Sequence, residues 1–159
     1  MSYELRVITP DDWEAFRAVR LRALADAPDA FGVTLADAAA QPPQEWRDRS
    51  AGAGGPVILA FSDHEPVAMG GLYVPPESAD AFIWGMWVEP ASRGHGVASR
   101  ILHDLLSRPE AAGRSLHLHV TQGNDSARRL YERHGFTDTG ESQPLRRGSD
   151  VRIAAMLRD

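Results

Sequence analysis

Apolar positions along the chain repeat at two periods, and the switches between them mark out its elements. Residues 3–9 alternate apolar and polar side chains, as a strand does. Thr9-Pro10-Asp11-Asp12 then reads as a helix start: a hydroxyl cap, a proline in the first turn, and acids at the positive end of the dipole. Trp13, Phe16, Val19, Ala23 and Leu24 recur at helical spacing, and Asp26-Ala27-Pro28 ends that helix. A short helix is predicted over residues 43–49, carrying Trp46. After the glycine-rich loop 51–56, residues 57–61 and 66–74 read as a hairpin around Ser62-Asp63-His64-Glu65.

Residues 81–88 form the next strand, followed by a proline break and a Gly-rich turn. Val97, Ile101, Leu102, Leu105 and Leu106 make the following helix amphipathic, and Pro109 closes it. Leu116, Leu118 and Val120 form one face of a strand whose other face carries His117 and His119. Asn124 caps a helix with Ala127, Leu130, Tyr131 and His134 on one face, stopped by Gly135. Two further strands surround Arg147-Gly148-Ser149-Asp150. The order β-α-α-β-β-β-α-β-α-β-β is a mixed α/β arrangement around one central sheet.

Composition narrows the function. With 159 residues the chain suits one domain over residues 1–159 with an ordinary core, and 43% hydrophobic with 25% charged residues reads as a soluble globular protein. The net charge is −5 and all 17 cationic side chains are arginines, with no basic run, which argues against a nucleic-acid partner. The acidic balance suits a cationic amine. Without cysteine there is no disulfide, no thiolate zinc ligand and no thiol nucleophile. No apolar run has the length of a membrane span or signal core, so the expectation is a cytoplasmic protein with no membrane partner.

The chemistry concentrates in residues 82–98. A strand that ends at a Gly-rich turn opening into a helix presents free backbone N–H groups to an anion, usually a phosphate. Gly94 and Gly96 let the chain bend and a ligand approach. No Gly-Lys-Ser/Thr follows, so this is not the phosphate loop of nucleotide hydrolases.

Arg93-Gly94-His95-Gly96-Val97-Ala98 fits Arg/Gln-x-x-Gly-x-Gly/Ala, the coenzyme A pyrophosphate loop of the GNAT superfamily of acyl-CoA N-acyltransferases, which the chain resembles. The resemblance takes in Val88-x-Pro90 before the loop. Downstream it continues with Leu118-x-Val120, Asn124, Ala127, Leu130-Tyr131 and Gly135-Phe136, covering roughly residues 80–137. The run from Arg20 to Leu24 and from Pro28 to Gly32 is also similar to the family's first-helix region, which usually lines the acceptor pocket. The resemblance implies the GNAT fold: a single, mostly antiparallel central sheet flanked by helices, with the strands near 81–88 and 115–121 splayed to admit acyl-CoA.

It implies an acetyl-CoA-dependent N-acetyltransferase acting on a primary amine, a small molecule or a peptide N-terminus, by direct attack in a ternary complex. Acetyl-CoA is then a co-substrate, and no metal is expected: His117 and His119 have no third ligand at a matching spacing. The alternative is a non-catalytic acyl-CoA sensor of the same fold. The family is often dimeric, which leaves a homodimer open. Arg93, Gly94, His95, Gly96, Val97 and Ala98 would hold the pyrophosphate through their main chain, while Met86 and Val88 would pair with the pantetheine arm as an added strand. Ala127 is counted among the coenzyme-binding residues, and Asn124 reads either as a pantetheine contact or as a plain helix cap.

Tyr131 corresponds to the family tyrosine beside the coenzyme sulfur, which protonates the departing thiolate. For the general base, some members carry a glutamate at the Leu-x-Val position where this chain has His119. An imidazole can take a proton there directly or through water, with His117 passing it outward. Glu89 is the other candidate base. Trp46, Trp84 and Trp87 read as packing residues, with an aromatic acceptor pocket as the alternative.

Overall fold

The computed structural model describes residues 2–159 and contains every predicted strand and α-helix, with one further α-helix and four short 3-10 turns. Strand β1 (Glu4–Val7) leads into helices α1 (Trp13–Asp26), α2 (Leu35–Ala39) and α3 (Pro43–Ser50). Strands β2 (Val57–Ser62), β3 (Glu65–Tyr73) and β4 (Asp80–Val88) precede α4 (Val97–Ser107). The chain ends with β5 (Ser115–Thr121), α5 (Asp125–Arg133), β6 (Thr137–Pro144) and β7 (Arg152–Arg158). The further α-helix is α2, five residues long. It buries only Ala38 and so shows no periodic stripe; the Thr34 hydroxyl starts it by accepting the Asp37 N–H at 3.1 Å.

The strands form one seven-stranded sheet in the order β1-β2-β3-β4-β5-β7-β6. Every neighbouring pair is antiparallel except β4–β5, whose parallel alignment requires a crossover, and α4 supplies it. On one face α4 lays Val97, Ile101, Leu102 and Leu105 onto the sheet, with Tyr131 and Phe136 beside them. On the other, Phe16, Val19, Ala23 and Leu24 of α1 and Trp46 of α3 cover Leu59, Met69 and Trp87. Trp46 meets Phe16 edge-on at 5.1 Å. The α4 side is tight: a Cβ on Gly70 would fall 2.7 Å from Ile101. No helix among the described residues is long and apolar enough to cross a membrane.

Two irregularities shape the centre of the sheet. Met69 pairs with Trp87 but Gly71 pairs with Trp84, so Gly85 and Met86 together oppose the single residue Gly70. This β-bulge, with Gly85 at φ +67°, inverts the facing of β4. Ile83 belongs to the α4 side and Trp84 to the α1 side, yet past the bulge Met86 and Val88 lie on the α4 side and Trp87 on the α1 side. The second irregularity is that β4 and β5 pair only at Asp80–Ser115, Ala81–Leu116 and Phe82–His117. Beyond that point the two strands part.

Candidate active site

The parting of β4 and β5 opens a gap in the sheet. From Ile83 to Val88 the β5-facing edge of β4 has no strand partner, nor has the β4-facing edge of β5 beyond His117. Main-chain donors and acceptors left unpaired inside a protein need partners, and an extended ligand arm supplies them. Met86 and Val88 lie here with half-buried side chains packed toward α4, so only their main chain is turned to the gap.

The Gly-rich loop stands where β4 ends. Gly94 and Gly96 have φ of +84° and +75°, and a Cβ at either would meet nothing within 4 Å. Backbone conformation, not crowding, therefore requires glycine, and the space above the loop is open to a ligand. Gly96 is the N-cap of α4, so the helix's first N–H groups and its positive dipole end face that space. Val97 is buried and anchors the helix, Ala98 is half-buried, and His95 is exposed. A groove of about 840 Å³ starts at His95 and Gly96 and runs along α4 to His103 and His134.

The Arg93 side chain turns away from that space and clamps the loop. Its Nε donates to the Val88 carbonyl at 2.9 Å and its Nη2 to Asp26 Oδ2, at the end of α1, at 2.8 Å. The Trp87 indole N–H donates to the same carboxylate oxygen at 2.9 Å. These two donors, Trp87 foremost, hold the Asp26 carboxyl below its ordinary value of 3.8.

Tyr131 is buried on α5, edge-on to Phe136 at 6.1 Å. Its hydroxyl makes no hydrogen bond among the described residues, and burial pushes its pKa up to about 12. One turn earlier, Ala127 shares its face of the helix. Asn124 caps α5, its Oδ1 accepting the Ala127 N–H at 3.2 Å. Asn124→Ala should therefore cost about 1 kcal/mol of stability in a urea titration, whatever it does to ligand affinity. Arg128 fixes the helix to β6 through Asp138 at 2.8 Å.

His119 stands on β5 past the last β4–β5 pair, its side chain on the face opposite the buried Leu118 and Val120. The ring is exposed on that sheet face yet partly desolvated by its neighbours. That desolvation, followed by the nearby His117, holds its pKa below the usual 6.5. His117, on the same face, stacks on Phe82 at 5.1 Å, and its Nε2 lies 2.9 Å from Asp80 Oδ1. Glu89 is differently placed: Arg22 holds one of its carboxylate oxygens and the Ser92 hydroxyl donates to the other at 3.1 Å. It ties the loop after β4 to α1.

Sequence reasoning placed Arg20 only in a run resembling the family's acceptor-lining first helix, and missed the cationic cluster it forms with Arg49 on the α1 side of β4. Arg20 is 6% exposed and interrupts the apolar stripe of α1 between Phe16 and Leu24. Its guanidinium lies 4.9 Å from the Phe31 ring and 5.4 Å from that of Trp84. Arg49 of α3 lies over the same indole at 4.9 Å. Burial, with the charge of Arg49 second, brings the Arg20 pKa down to about 10, so it stays cationic at neutral pH. The available signal was positional: residue 20 falls at helical spacing from Phe16 and Leu24. Trp46 and Trp87 are buried in the core, whereas half-buried Trp84 lines a cavity of about 520 Å³ with Arg49, Tyr73 and Phe82.

Comparison with known proteins agrees with this geometry. The signature of the Acetyltransferase (GNAT) family matches residues 17–136. A mycothiol acetyltransferase from Brachybacterium faecium is 33% identical over 141 residues, covering 85% of this chain and 40% of that protein. An L-2,4-diaminobutyric acid acetyltransferase from Marinococcus halophilus is 32% identical over 79 residues, 48% of this chain and 45% of the other. The chain thus spans less than half the length of these curated relatives. Among solved structures, a GNAT-family acetyltransferase from Streptococcus pneumoniae superposes with a TM-score of 0.81 at 18% identity, covering 99% of this chain and 98% of that one. A putative acetyltransferase from Salmonella typhimurium, solved with its cofactor acetyl-CoA, gives 0.72 at 17% identity, covering 99% and 93%. By a family match over most of its length, set on the parted strands and the glycine loop, this chain belongs to the GNAT acetyltransferase family.

Proposed function

We propose that this chain is an acetyl-CoA-dependent N-acetyltransferase that moves the acetyl group to a primary amine, on a small molecule or a peptide N-terminus, by direct attack in a ternary complex. The observation that carries the reading is the parallel β4–β5 pair that stops at Phe82–His117, with an open glycine cradle on a helix N-terminus at the end of β4. A coenzyme A thioester fits these features: its pyrophosphate suits the N–H groups of residues 93–98, and its amide-bearing arm suits the free edge at Met86–Val88. Bound there, the coenzyme supplies an acyl group activated as a thioester. The two curated relatives compared above are named as acetyltransferases, and one solved neighbour holds acetyl-CoA, which supports acetyl as the group transferred.

The chain's own residues then have separable tasks. His119, kept as the free base by its depressed pKa, takes the proton that an ammonium must lose before its nitrogen has a lone pair. A main-chain N–H on the free edge of β4 stabilises negative charge building on the carbonyl oxygen. Tyr131, fully protonated at working pH, gives its proton to the departing sulfur. No side chain forms an acyl-enzyme, and the chain has no cysteine for one.

The test is release of free thiol from acetyl-CoA across a panel of amines: amino acids, polyamines, N-terminal peptides and aminoglycosides. A protein without cysteine gives the thiol reagent no background. Amine-dependent release is the expected result. No release from any amine, together with no rise in melting temperature on adding acetyl-CoA, would sink the assignment.

A further inference from the structure

Two of the arginines around the site have found an acid. Arg22, on the same helix as Arg20, pairs with Glu89, and Arg93 pairs with Asp26. Arg20 and Arg49 make no ion pair among the described residues, although the chain holds 22 acids to 17 basic side chains. Glu45, one turn before Arg49 on α3, acts on it through charge alone, without a salt bridge. Asp48, which lines the same cavity, is held by Gln44 at 2.8 Å.

Aromatic stacking occupies the flat faces of a guanidinium and leaves its N–H edges unspent. In Arg20 that shortfall is visible: Nη1 is sealed from solvent and has no hydrogen-bond partner. A buried donor without a partner is rare, and a buried charge without one is rarer. Its direction is also informative. A Cβ placed on Gly85 would stand 3.5 Å from Arg20 Nη1, so the guanidinium lies directly against the bulge of β4. Nη1 thus backs onto the strand, and the donors left to a ligand are Nε and Nη2, which are not sealed and which no described residue engages. Arg49, across Trp84, faces the cavity that reaches Phe82.

We propose that Arg20, supported by Arg49 across the Trp84 indole, is the binding site for a carboxylate carried by the acceptor, so that the acceptor is an amine bearing a carboxylate, such as an amino acid. A carboxylate has the planar, two-oxygen shape that a guanidinium edge binds most strongly. This rests on the acetyl-transfer reading and narrows its acceptor. With the carboxylate held on the α1 side of β4, the amine of a short substrate is directed toward the gap and His119.

The experiment compares amino acids with their own carboxamides as acceptors, at equal concentrations of neutral amine. The wild-type protein should favour the acids by about tenfold to a hundredfold in kcat/KM, the range for a hydrogen bond to a charged group. Arg20→Met should bring the ratio near one by raising KM for the acids, with the amides little changed and the acetyl-CoA thermal shift retained. Arg20→Lys should restore part of the preference. If Arg20→Met does not fold, Arg49→Met, at a half-buried position, must lower the ratio instead. Amides used as well as acids by the wild type, or a preference that survives these variants, would overturn the proposal. Should no amine be acetylated, the transfer reading falls by itself. The carboxylate reading is then decided by binding: with coenzyme A present, the amino acids must raise the melting temperature more than their amides do, and equal or absent shifts reject it.

Discussion

Replacing Tyr131 with Phe should lower kcat for acetyl transfer by about 10²–10⁴-fold, the usual worth of a positioned general acid, while acetyl-CoA still raises the melting temperature. The variant keeps the ring that packs edge-on against Phe136 and removes a hydroxyl that makes no hydrogen bond among the described residues. Stability should accordingly change by less than about 1 kcal/mol. A phenol raised to about 12 keeps its proton throughout the working range, which an acid must do. It is a poor match for a thiol of pKa ~8.5 in water, but a thiolate formed in the same dry surroundings is made more basic by the same desolvation. The mismatch is therefore smaller than the two values suggest. Unchanged turnover in Tyr131→Phe would pass the proton to water. An undetectable rate in the wild type, with the thermal shift intact, would favour the acyl-CoA sensor.

Where backbone requirements leave a mark on residue type, the sequence was readable. Gly94 and Gly96 adopt left-handed conformations that few other residues tolerate, and Val97, Ile101, Leu102 and Leu105 repeat at the spacing that buries one side of α4. The two halves of the motif frame the parting strands, so fold and cradle followed from the same residues. Three things were hidden, each for a physical reason. Helix α2 buries one alanine, too little to print a period. The bulge at Gly85 depends on register with β3, and register is a property of two strands that neither carries alone. Arg20 was hidden because an arginine on an apolar stripe ordinarily extends its head to water, and only tertiary packing reveals that this one cannot. The two readings of Asn124 were both physical. The cap is the one visible without a ligand.

His119→Gln should move the acid limb of the pH–rate profile, and the size of that move identifies the base. Burial penalises the imidazolium, so the depressed pKa means that the proton leaves readily and the ring is free base at neutral pH. With His119 accepting the acceptor's proton inside the complex, turnover is flat down to a point below 6.5 and then falls tenfold per unit as the ring protonates. Without it, only amine already neutral in solution can react, and the limb rises to the acceptor's own pKa: about 8 for an α-amine, about 10.4 for a lysine-like one. At pH 7 the neutral fraction of the latter is on the order of 10⁻³, so the variant's loss should approach 10³-fold for such an acceptor and about tenfold for an α-amine. Glu89→Gln is the control. Its carboxylate is engaged by Arg22 on one oxygen and by Ser92 on the other, so its loss should weaken the tie between the loop and α1 and leave the limb where it was. A limb that moves in Glu89→Gln and stays in His119→Gln would transfer the base to Glu89. A limb at the acceptor's pKa already in the wild type would mean that water removes the proton, and that the protein's share of the chemistry lies in holding the two reactants and delivering a proton from Tyr131.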